Sequence, residues 1–203
     1  MATDETALND RLISNVGEVR RVVAFTEDAA GNIYTVAFGG QIYRLDPRAG
    51  AGDGADELHG GSGDDALYGG PGADLMFGDD DDDLLSGGFG ADILEGGAGN
   101  DDIRGDAGGD TAWGGVGSDD FRGGAGADVL EFRQGDGRDR FLDFDTAADR
   151  VDLSAFGFAD ADEALSYARD ILATGAVSFV FVGGDQLIVA DTTMAELSDL
   201  LII

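Results

Sequence analysis

Apolar residues recur once every nine positions between residues 51 and 131, and glycines and aspartates keep the same period. The segment divides into nine copies of a nine-residue unit, of which Gly60 to Tyr68 is a clear example. In that unit, glycine occupies positions 1, 2 and 4, aspartate position 6 and an apolar residue position 8. A fixed period of this kind is the signature of a repeat protein. The pattern therefore predicts a solenoid built from stacked copies.

One unit predicts a tight turn followed by a short strand. Glycines permit positive φ, so positions 1 to 6 can turn and direct carbonyl oxygens, with the carboxylate of position 6, into one concave pocket. Positions 7 to 9 form a three-residue strand whose middle side chain points inward. Such a strand cannot bury a core alone, so the copies must stack. The predicted inward residues are Leu58, Leu67, Met76, Leu85, Leu94, Ile103, Ala112, Phe121 and Leu130.

Three copies depart from the pattern. Ala51 replaces glycine at the start of the first copy, and the copy that begins at Gly105 loses its second glycine. The copy that begins at Gly78 continues as a run of aspartates and places Asp81 at position 4. An aspartate there must adopt an unfavourable left-handed conformation or distort the turn. We expect the sites that involve Asp81 to be the weakest.

The flanking segments, residues 1–50 and 132–203, predict caps for the two ends of the solenoid. Strands are predicted at residues 21–26 and 32–44, and alternating apolar residues over 141–153 would cover the last turn, which otherwise exposes an open sheet edge. A helix over residues 160–174 should follow, then a hairpin of residues 177–182 and 186–190. Thr193 and Glu196 form a capping box for a last helix.

Composition limits the function. The chain of 203 residues has a formal charge of −30 and a pI near 4.1, which opposes nucleic-acid binding. It contains no cysteine, no lysine and one histidine, His59, at an outward position of the first copy. No apolar run reaches the 18 residues of a membrane span. Paired aspartates are explained by the nine-residue period, so we predict no catalytic site.

The repeat resembles the RTX (repeats-in-toxin) family, whose glycine-rich nonapeptide binds Ca²⁺. This resemblance implies an all-β fold, a right-handed parallel β-roll in which two copies form one 18-residue coil and copy n lies above copy n+2. It also implies ions between stacked turns: carbonyls come from positions 2 and 4 below and from positions 1 and 3 above, and position 6 gives a carboxylate from both. Hard oxygen ligands suit Ca²⁺. Four gaps between odd copies and three between even copies predict about seven ions.

Applying these ligand positions to each copy gives the predicted calcium ligands. They include residues other than glycine where only a backbone carbonyl is required. They are Gly52, Gly54, Asp56, Gly60, Gly61, Ser62, Gly63, Asp65, Gly69, Gly70, Pro71, Gly72, Asp74, Gly78, Asp80, Asp83, Gly87, Gly88, Phe89, Gly90, Asp92, Gly96, Gly97, Ala98, Gly99, Asp101, Gly105, Ala107, Gly108, Asp110, Gly114, Gly115, Val116, Gly117, Asp119, Gly123, Ala125 and Asp128.

The resemblance also implies where the protein acts. RTX proteins leave Gram-negative bacteria through a type I exporter that reads an uncleaved C-terminal signal, and Glu196 to Ile203, acidic and then apolar, resembles such a signal. A terminal helix that closes a core is the alternative interpretation of this segment. Residues 135–154 resemble the closing cap of RTX modules in serralysin-type proteases and alginate epimerases. Residues 27–45 resemble one blade of a sugar-dehydrogenase-like β-propeller, which alone cannot close a propeller.

Two functions remain open from the sequence. The first is a non-catalytic, calcium-binding RTX module that folds outside the cell and supports secretion. The second is a fragment of a secreted enzyme whose catalytic part is absent. A disordered glycine-rich linker is disfavoured by the strict apolar period, and an ice-binding solenoid by the presence of one threonine, Thr111, in the repeats.

Outward positions of the odd copies are apolar, whereas those of the even copies are charged. The even copies carry arginines and aspartates at positions 7 and 9, including Asp102, Arg104 and Arg122. We expect the apolar face to be covered by the C-terminal helix and hairpin, or else by self-association or a missing enzyme domain. The residues of this odd-copy face are Leu75, Phe77, Ile93, Trp113 and Val129.

Overall fold

A computed structural model describes three strands near the N-terminus, residues 22–27, 33–37 and 41–45, and then residues 54–171 and 174–203. The strands are β1 (Val22–Glu27), β2 (Ile33–Ala37), β3 (Gln41–Leu45), β4 (Glu57–Ser62), β5 (Ala66–Pro71), β6 (Leu75–Asp80), β7 (Leu84–Phe89), β8 (Ile93–Gly99), β9 (Asp102–Ala107), β10 (Thr111–Gly117), β11 (Asp120–Arg122), β12 (Val129–Glu131), β13 (Arg138–Phe141), β14 (Arg150–Asp152), β15 (Ala168–Ile171), β16 (Ala176–Val180), β17 (Gln186–Val189) and β18 (Leu201–Ile202). Two short α-helices, α1 (Ala161–Leu165) and α2 (Met194–Leu197), lie in the C-terminal part.

The repeats form a parallel β-solenoid of two facing sheets. The odd sheet has seven strands in the order β18-β14-β12-β10-β8-β6-β4, and it carries positions 7 to 9 of the odd copies. The even sheet has eleven strands in the order β1-β2-β3-β5-β7-β9-β11-β13-β17-β16-β15. Paired strand residues of the repeats lie 18 positions apart, as in Leu58 with Met76 and Met76 with Leu94. The predicted 18-residue coil is confirmed.

A single column of apolar side chains fills the space between the two sheets. All nine predicted inward residues are buried, with at most 2% of each exposed. Burial of each large aliphatic side chain contributes about 1.5 to 3 kcal/mol. One such residue per nine is a thin core, so other interactions must contribute to the stability of the stack.

The repeat strands are longer than the sequence predicts. Strands β4 to β10 contain six or seven residues rather than three, because they continue into the glycines that open the next copy. Gly70 of β5, for example, pairs with Gly88 of β7 in the same parallel register as the preceding apolar residues. Stacking supplies backbone partners to residues whose side-chain pattern does not indicate a strand.

The C-terminal part continues both sheets. Strand β13 adds to the even sheet and β14 to the odd sheet, and the predicted covering residues Phe141, Phe144, Val151 and Leu153 are buried. The predicted hairpin is present as β16 and β17. The last helix, α2, begins with the predicted capping box of Thr193 and Glu196.

Two predictions for this region are wrong. The helix predicted over residues 160–174 ends at Leu165, and Ala168–Ile171 forms β15 instead, because β16 offers an open edge whose hydrogen bonds outweigh helix propensity. The C-terminal hairpin does not fold back over the odd-copy face, because β17 pairs with the open edge of β13 and thereby extends the even sheet.

At the other end, the N-terminal strands form an antiparallel meander in which β3 pairs with β5. The strand predictions for this segment are confirmed. The boundaries of the three parts, 1–50, 51–131 and 132–203, and the likeness to a propeller blade stay predictions. Among the described residues, no helix is long and apolar enough to cross a membrane.

Candidate metal centre

The aspartates at position 6 of the nine copies line the turns on the inside. Each of them is at most 5% exposed. Buried carboxylates are rare unless a cation or several donors face them. The turns of this solenoid therefore concentrate negative charge in places that water does not reach.

One oxygen of each stacked carboxylate is satisfied by the backbone. The N–H of Asp65 donates to Oδ1 of Asp83 at 2.7 Å, and the N–H of Asp83 donates to Oδ1 of Asp101 at 2.8 Å. The same bond joins all seven pairs of copies n and n+2, with N–O distances of 2.7 to 2.9 Å. These bonds fix the side-chain orientation and explain why aspartate, with its short side chain, occupies position 6.

The second oxygen lacks a protein partner in most copies. Within the described part of the chain, no hydrogen bond reaches the buried Oδ2 atoms of Asp83, Asp92, Asp101, Asp110, Asp119 and Asp128. In Asp65 the atom without a partner is Oδ1. An unsatisfied buried carboxylate oxygen is costly, so a row of such atoms indicates a missing positive partner.

Carbonyl oxygens converge on these carboxylates at position 1. A Cβ added to Gly78 would lie 2.4 Å from Oδ2 of Asp83 and 2.4 Å from the carbonyl oxygen of Gly96, two copies later. At Gly96 the corresponding distances are 2.3 Å to Asp101 and 2.5 Å to the Gly114 carbonyl. The carboxylate of copy n and the position 1 carbonyl of copy n+2 thus face the same small volume, which a side chain would fill.

Carbonyls of positions 2 and 4 point in the opposite direction, from copy n to copy n+2. Gly90 has φ of +135°, and a Cβ there would meet the carbonyl oxygen of Gly72, two copies earlier, at 1.5 Å. The position 3 carbonyl of Phe89 accepts the Gly72 N–H at 2.7 Å, while the Phe89 side chain is 71% exposed. The carbonyls fall into the two predicted groups, positions 1 and 3 against positions 2 and 4. Positions 1 and 3 point from copy n+2 to copy n, however, so the predicted assignment of the two groups to the upper and lower turns is wrong.

Burial and mutual repulsion disfavour the ionised form of these carboxylates when no cation is bound. Burial raises the pKa of Asp83 and Asp110 to about 7, and neighbouring aspartates add to the rise while a backbone N–H opposes it. Burial likewise raises the pKa of Asp65, Asp101 and Asp119 to about 6. A bound divalent cation favours the ionised form of these groups.

The donor set fits calcium. The predicted set of two carboxylates and four carbonyls would offer six hard oxygens between each pair of turns, and Ca²⁺ prefers such ligands. Among the described residues, no three His, Cys, Asp or Glu side chains converge on one point. This agrees with sites in which the backbone provides most ligands. The individual ligand assignments stay predictions, and Gly52 lies outside the described residues.

The irregular fourth copy keeps its place in the stack at a conformational cost. Asp79 and Asp81 have φ of 76° and 77°, which residues other than glycine rarely adopt. Their carboxylates accept the N–H groups of Gly61 at 3.2 Å and Gly63 at 3.0 Å, two copies earlier in the chain. The left-handed conformation predicted for Asp81 is confirmed, and side-chain hydrogen bonds offset part of its cost.

Sequence reasoning missed aspartates in the C-terminal part that continue the position 6 series. The N–H of Asp119 donates to Oδ1 of Asp139 at 3.1 Å, and that of Asp128 to Oδ1 of Asp149 at 3.0 Å. The separations are 20 and 21 residues rather than 18, so a strict nine-residue period does not find them. A signal was present in Gly135, Gly137, Asp139 and Phe141, which match positions 2, 4, 6 and 8.

His59 and the apolar face lie outside these turns. His59 is exposed, stacks on Phe77 with ring centroids 4.6 Å apart, and bonds to Glu57 at 3.2 Å. Trp113 donates from Nε1 to Asp136 at 3.1 Å, and the Arg133 guanidinium lies 3.9 Å from its ring centroid. In the odd-copy face, Ile93 is 55% exposed.

A family model decides the nature of the repeats. The model of the RTX calcium-binding nonapeptide repeat matches four times, at residues 50–85, 77–112, 95–130 and 104–141. Residues 50–141 are RTX calcium-binding repeats. The resemblance stated from the sequence is confirmed, and with it the calcium-binding character of this segment.

Three solved structures resemble parts of the chain. The AlgE6R3 subunit of mannuronan C5-epimerase from Azotobacter vinelandii is 29% identical, with a TM-score of 0.50, over 61% of this chain and 78% of that one. The AlgE6R2 subunit of the same enzyme is 25% identical with a TM-score of 0.45, over 78% and 96%. Extracellular lipase LipA from Serratia marcescens is 17% identical with a TM-score of 0.37, over 74% and 38%. No curated protein matches the chain significantly.

Proposed function

We propose that the chain is a non-catalytic RTX module that folds when Ca²⁺ bridges its turns outside the cell. The observation that carries this proposal is the row of buried carboxylate oxygens without protein partners. Oδ2 of Asp83, Asp101 and Asp110 each shares a small volume with the position 1 carbonyl two copies later. Without ions, repulsion between these carboxylates opposes stacking, and the thin apolar column offers little compensation. The predicted number of ions between the nine copies is about seven.

Extracellular calcium is sufficient for this role. With dissociation constants of about 10⁻⁴ to 10⁻³ M, typical of extracellular modules, and free Ca²⁺ of about 10 mM, each site stabilises the fold by about 1.4 to 2.7 kcal/mol. Cytosolic calcium is far lower, so the chain would stay unfolded before export. Extended chains pass through a narrow exporter more easily than folded ones.

The C-terminus combines two roles in this proposal. In the folded state Leu197 and Leu200 are buried and β18 pairs with β14, as the alternative of a core-closing segment requires. In the unfolded chain the same residues are accessible, so a type I exporter can read them before calcium folds the module. Deletion of residues 196–203 should abolish export from a Gram-negative host with a type I exporter, while cytosolic expression is retained.

Calcium titration followed by circular dichroism tests the folding role. We expect little ordered β-structure in chelator and a cooperative gain at millimolar Ca²⁺. Mg²⁺ should not replace Ca²⁺, since it prefers octahedral sites and retains its waters. Unchanged strand content in chelator would refute the proposal.

A fragment of a secreted enzyme is the second candidate. The likeness to AlgE6R3, a subunit of an epimerase, favours it, because such a module there accompanies an enzyme. The reading frame upstream of this chain discriminates the two candidates: a catalytic domain encoded in frame supports the fragment, and a stop codon supports the independent module.

A further inference from the structure

The even side of the roll continues one turn beyond the nine copies of strict nine-residue period. Residues 134–142 stack on the eighth copy, residues 114–122, with Phe141 over Phe121. Gly137 has φ of +103°, and a Cβ there would lie 2.3 Å from the carbonyl oxygen of Gly117. The Gly117 N–H donates to the carbonyl of Asp136 at 2.7 Å, as position 4 does to position 3 in the repeats.

Two deeply buried carboxylates meet between these turns. Asp119 and Asp139 are each 2% exposed, and their backbone-to-carboxylate bond continues the series seen in the repeats. Oδ2 has no hydrogen-bond partner in either residue within the described part of the chain. The arrangement repeats the one that surrounds the predicted calcium sites.

The odd side ends differently, which provides an internal contrast. Asp149 stacks on Asp128 of the ninth copy, but its Oδ2 accepts the N–H of Asp145 at 2.8 Å. The turn that precedes Asp149 contains no glycine, and Asp143 accepts the N–H groups of Gly123 at 2.9 Å and Gly124 at 3.1 Å. Protein hydrogen bonds therefore satisfy the Asp149 carboxylate without an ion.

We propose that Asp139 and Asp119 hold a further Ca²⁺ between the eighth copy and the turn of residues 134–139, with the Gly117 carbonyl as a backbone ligand. The inference rests on the proposed calcium-dependent folding of the module. It adds one site to the even side and none to the odd side. The loop of the C-terminal hairpin holds this turn in place, because Asp185 accepts the Gly135 N–H at 2.9 Å.

Counting ions in variants of the full chain tests the site. Native mass spectrometry and equilibrium dialysis at saturating Ca²⁺ should find one ion fewer in Asp139→Asn than in the wild type. Asparagine keeps an acceptor for the Asp119 N–H, so the fold should persist, and circular dichroism checks it. The matched control, Asp149→Asn, should retain the wild-type count. An unchanged count in folded Asp139→Asn overturns the proposal.

A second variant keeps the test decisive if Asp139→Asn does not fold. Asp119 belongs to the repeat site that it shares with Asp101 and to the proposed site that it shares with Asp139, so Asp119→Asn should remove two ions. Removal of one ion would overturn the proposal. These outcomes are separate from failure of the proposed function, in which the wild-type chain would bind no Ca²⁺ or would keep its strands in chelator.

Discussion

The repeats and the C-terminal part of this chain are stabilised by different means. The repeats bury one apolar residue in nine together with one carboxylate, whereas the C-terminal part packs aromatic rings against one another. Phe181 lies 4.3 Å from Phe156, 5.5 Å from Phe132 and 5.9 Å from Phe179, measured between ring centroids. Aromatic pairs add about 0.5 to 1.5 kcal/mol each beyond the area they bury. The comparison indicates that the cap has an aromatic core of its own, whereas the roll is the region whose stability the proposed function assigns to Ca²⁺.

Chelation should separate the two regions most strongly. Without Ca²⁺, residues 54–131 should lose hydrogen-exchange protection, because the repulsion between stacked carboxylates is no longer offset. The amides of β16 and β17 should keep more protection, since their aromatic core requires no cation. Exchange measured by mass spectrometry with and without chelator checks this. Equal loss in both regions would show that the cap depends entirely on the roll.

Removal of one central carboxylate should be the most damaging single change in the roll. Asp101→Asn affects the sites above and below it, at a cost of about 3 to 5 kcal/mol at 10 mM Ca²⁺ if each site contributes as expected. The neighbouring Asp102→Asn is the matched control: Asp102 faces outward and pairs with Arg104 and Arg122, and exposed pairs contribute about 0 to 1 kcal/mol. Thermal unfolding compares the two, and similar losses would contradict the site assignment.

Acidification should weaken calcium binding in the roll. Asp83 and Asp110 have a folded pKa of about 7 and an ordinary value of 3.8, so protons stabilise the metal-free fold below about pH 4, and this stability is lost as the pH rises through 7. Calcium requires the ionised form. The Ca²⁺ midpoint should therefore rise as the pH falls from 8 to 6, by about tenfold per pH unit for each proton displaced. A midpoint independent of pH would contradict these shifts.

The regular part of the fold follows from the sequence because the repeat is local. Position 8 sets the core, and the nine-residue period sets the register, so Leu58 pairs above Met76 as predicted. The exceptions depend on partners that are distant in sequence. Ala168 lies in a strand because β16 presents an edge, and Asp139 joins the carboxylate series although two additional residues break the period. Spacing alone cannot reveal either feature.

The fourth copy allows a smaller test of the glycine rule. Asp81→Gly should stabilise the calcium-loaded protein by about 1 kcal/mol, because glycine adopts a positive φ without strain. The lost hydrogen bond between the Gly63 N–H and the exposed Asp81 carboxylate reduces this gain. Asp82→Gly is the control, since Asp82 is not among the residues with positive φ and its carboxylate accepts the Asn100 N–H at 2.7 Å. It should lower the melting temperature. A lower melting temperature in Asp81→Gly as well would contradict the assigned register.

The smallest expected effect concerns the junction between roll and cap. Arg133 covers the ring of Trp113, and a cation–π contact of this kind contributes about 0.5 to 1 kcal/mol at an exposed site. Arg133→Ala should cost about that amount and should increase iodide quenching of Trp113, the only tryptophan. The exposed Arg138 provides the control substitution, which should leave quenching unchanged. The hairpin does not cover the odd-copy face, so Trp113 in Arg133→Ala should be accessible to iodide. If iodide quenches it weakly, something else covers the ring. Quenching that increases on dilution would identify this cover as a second copy of the chain.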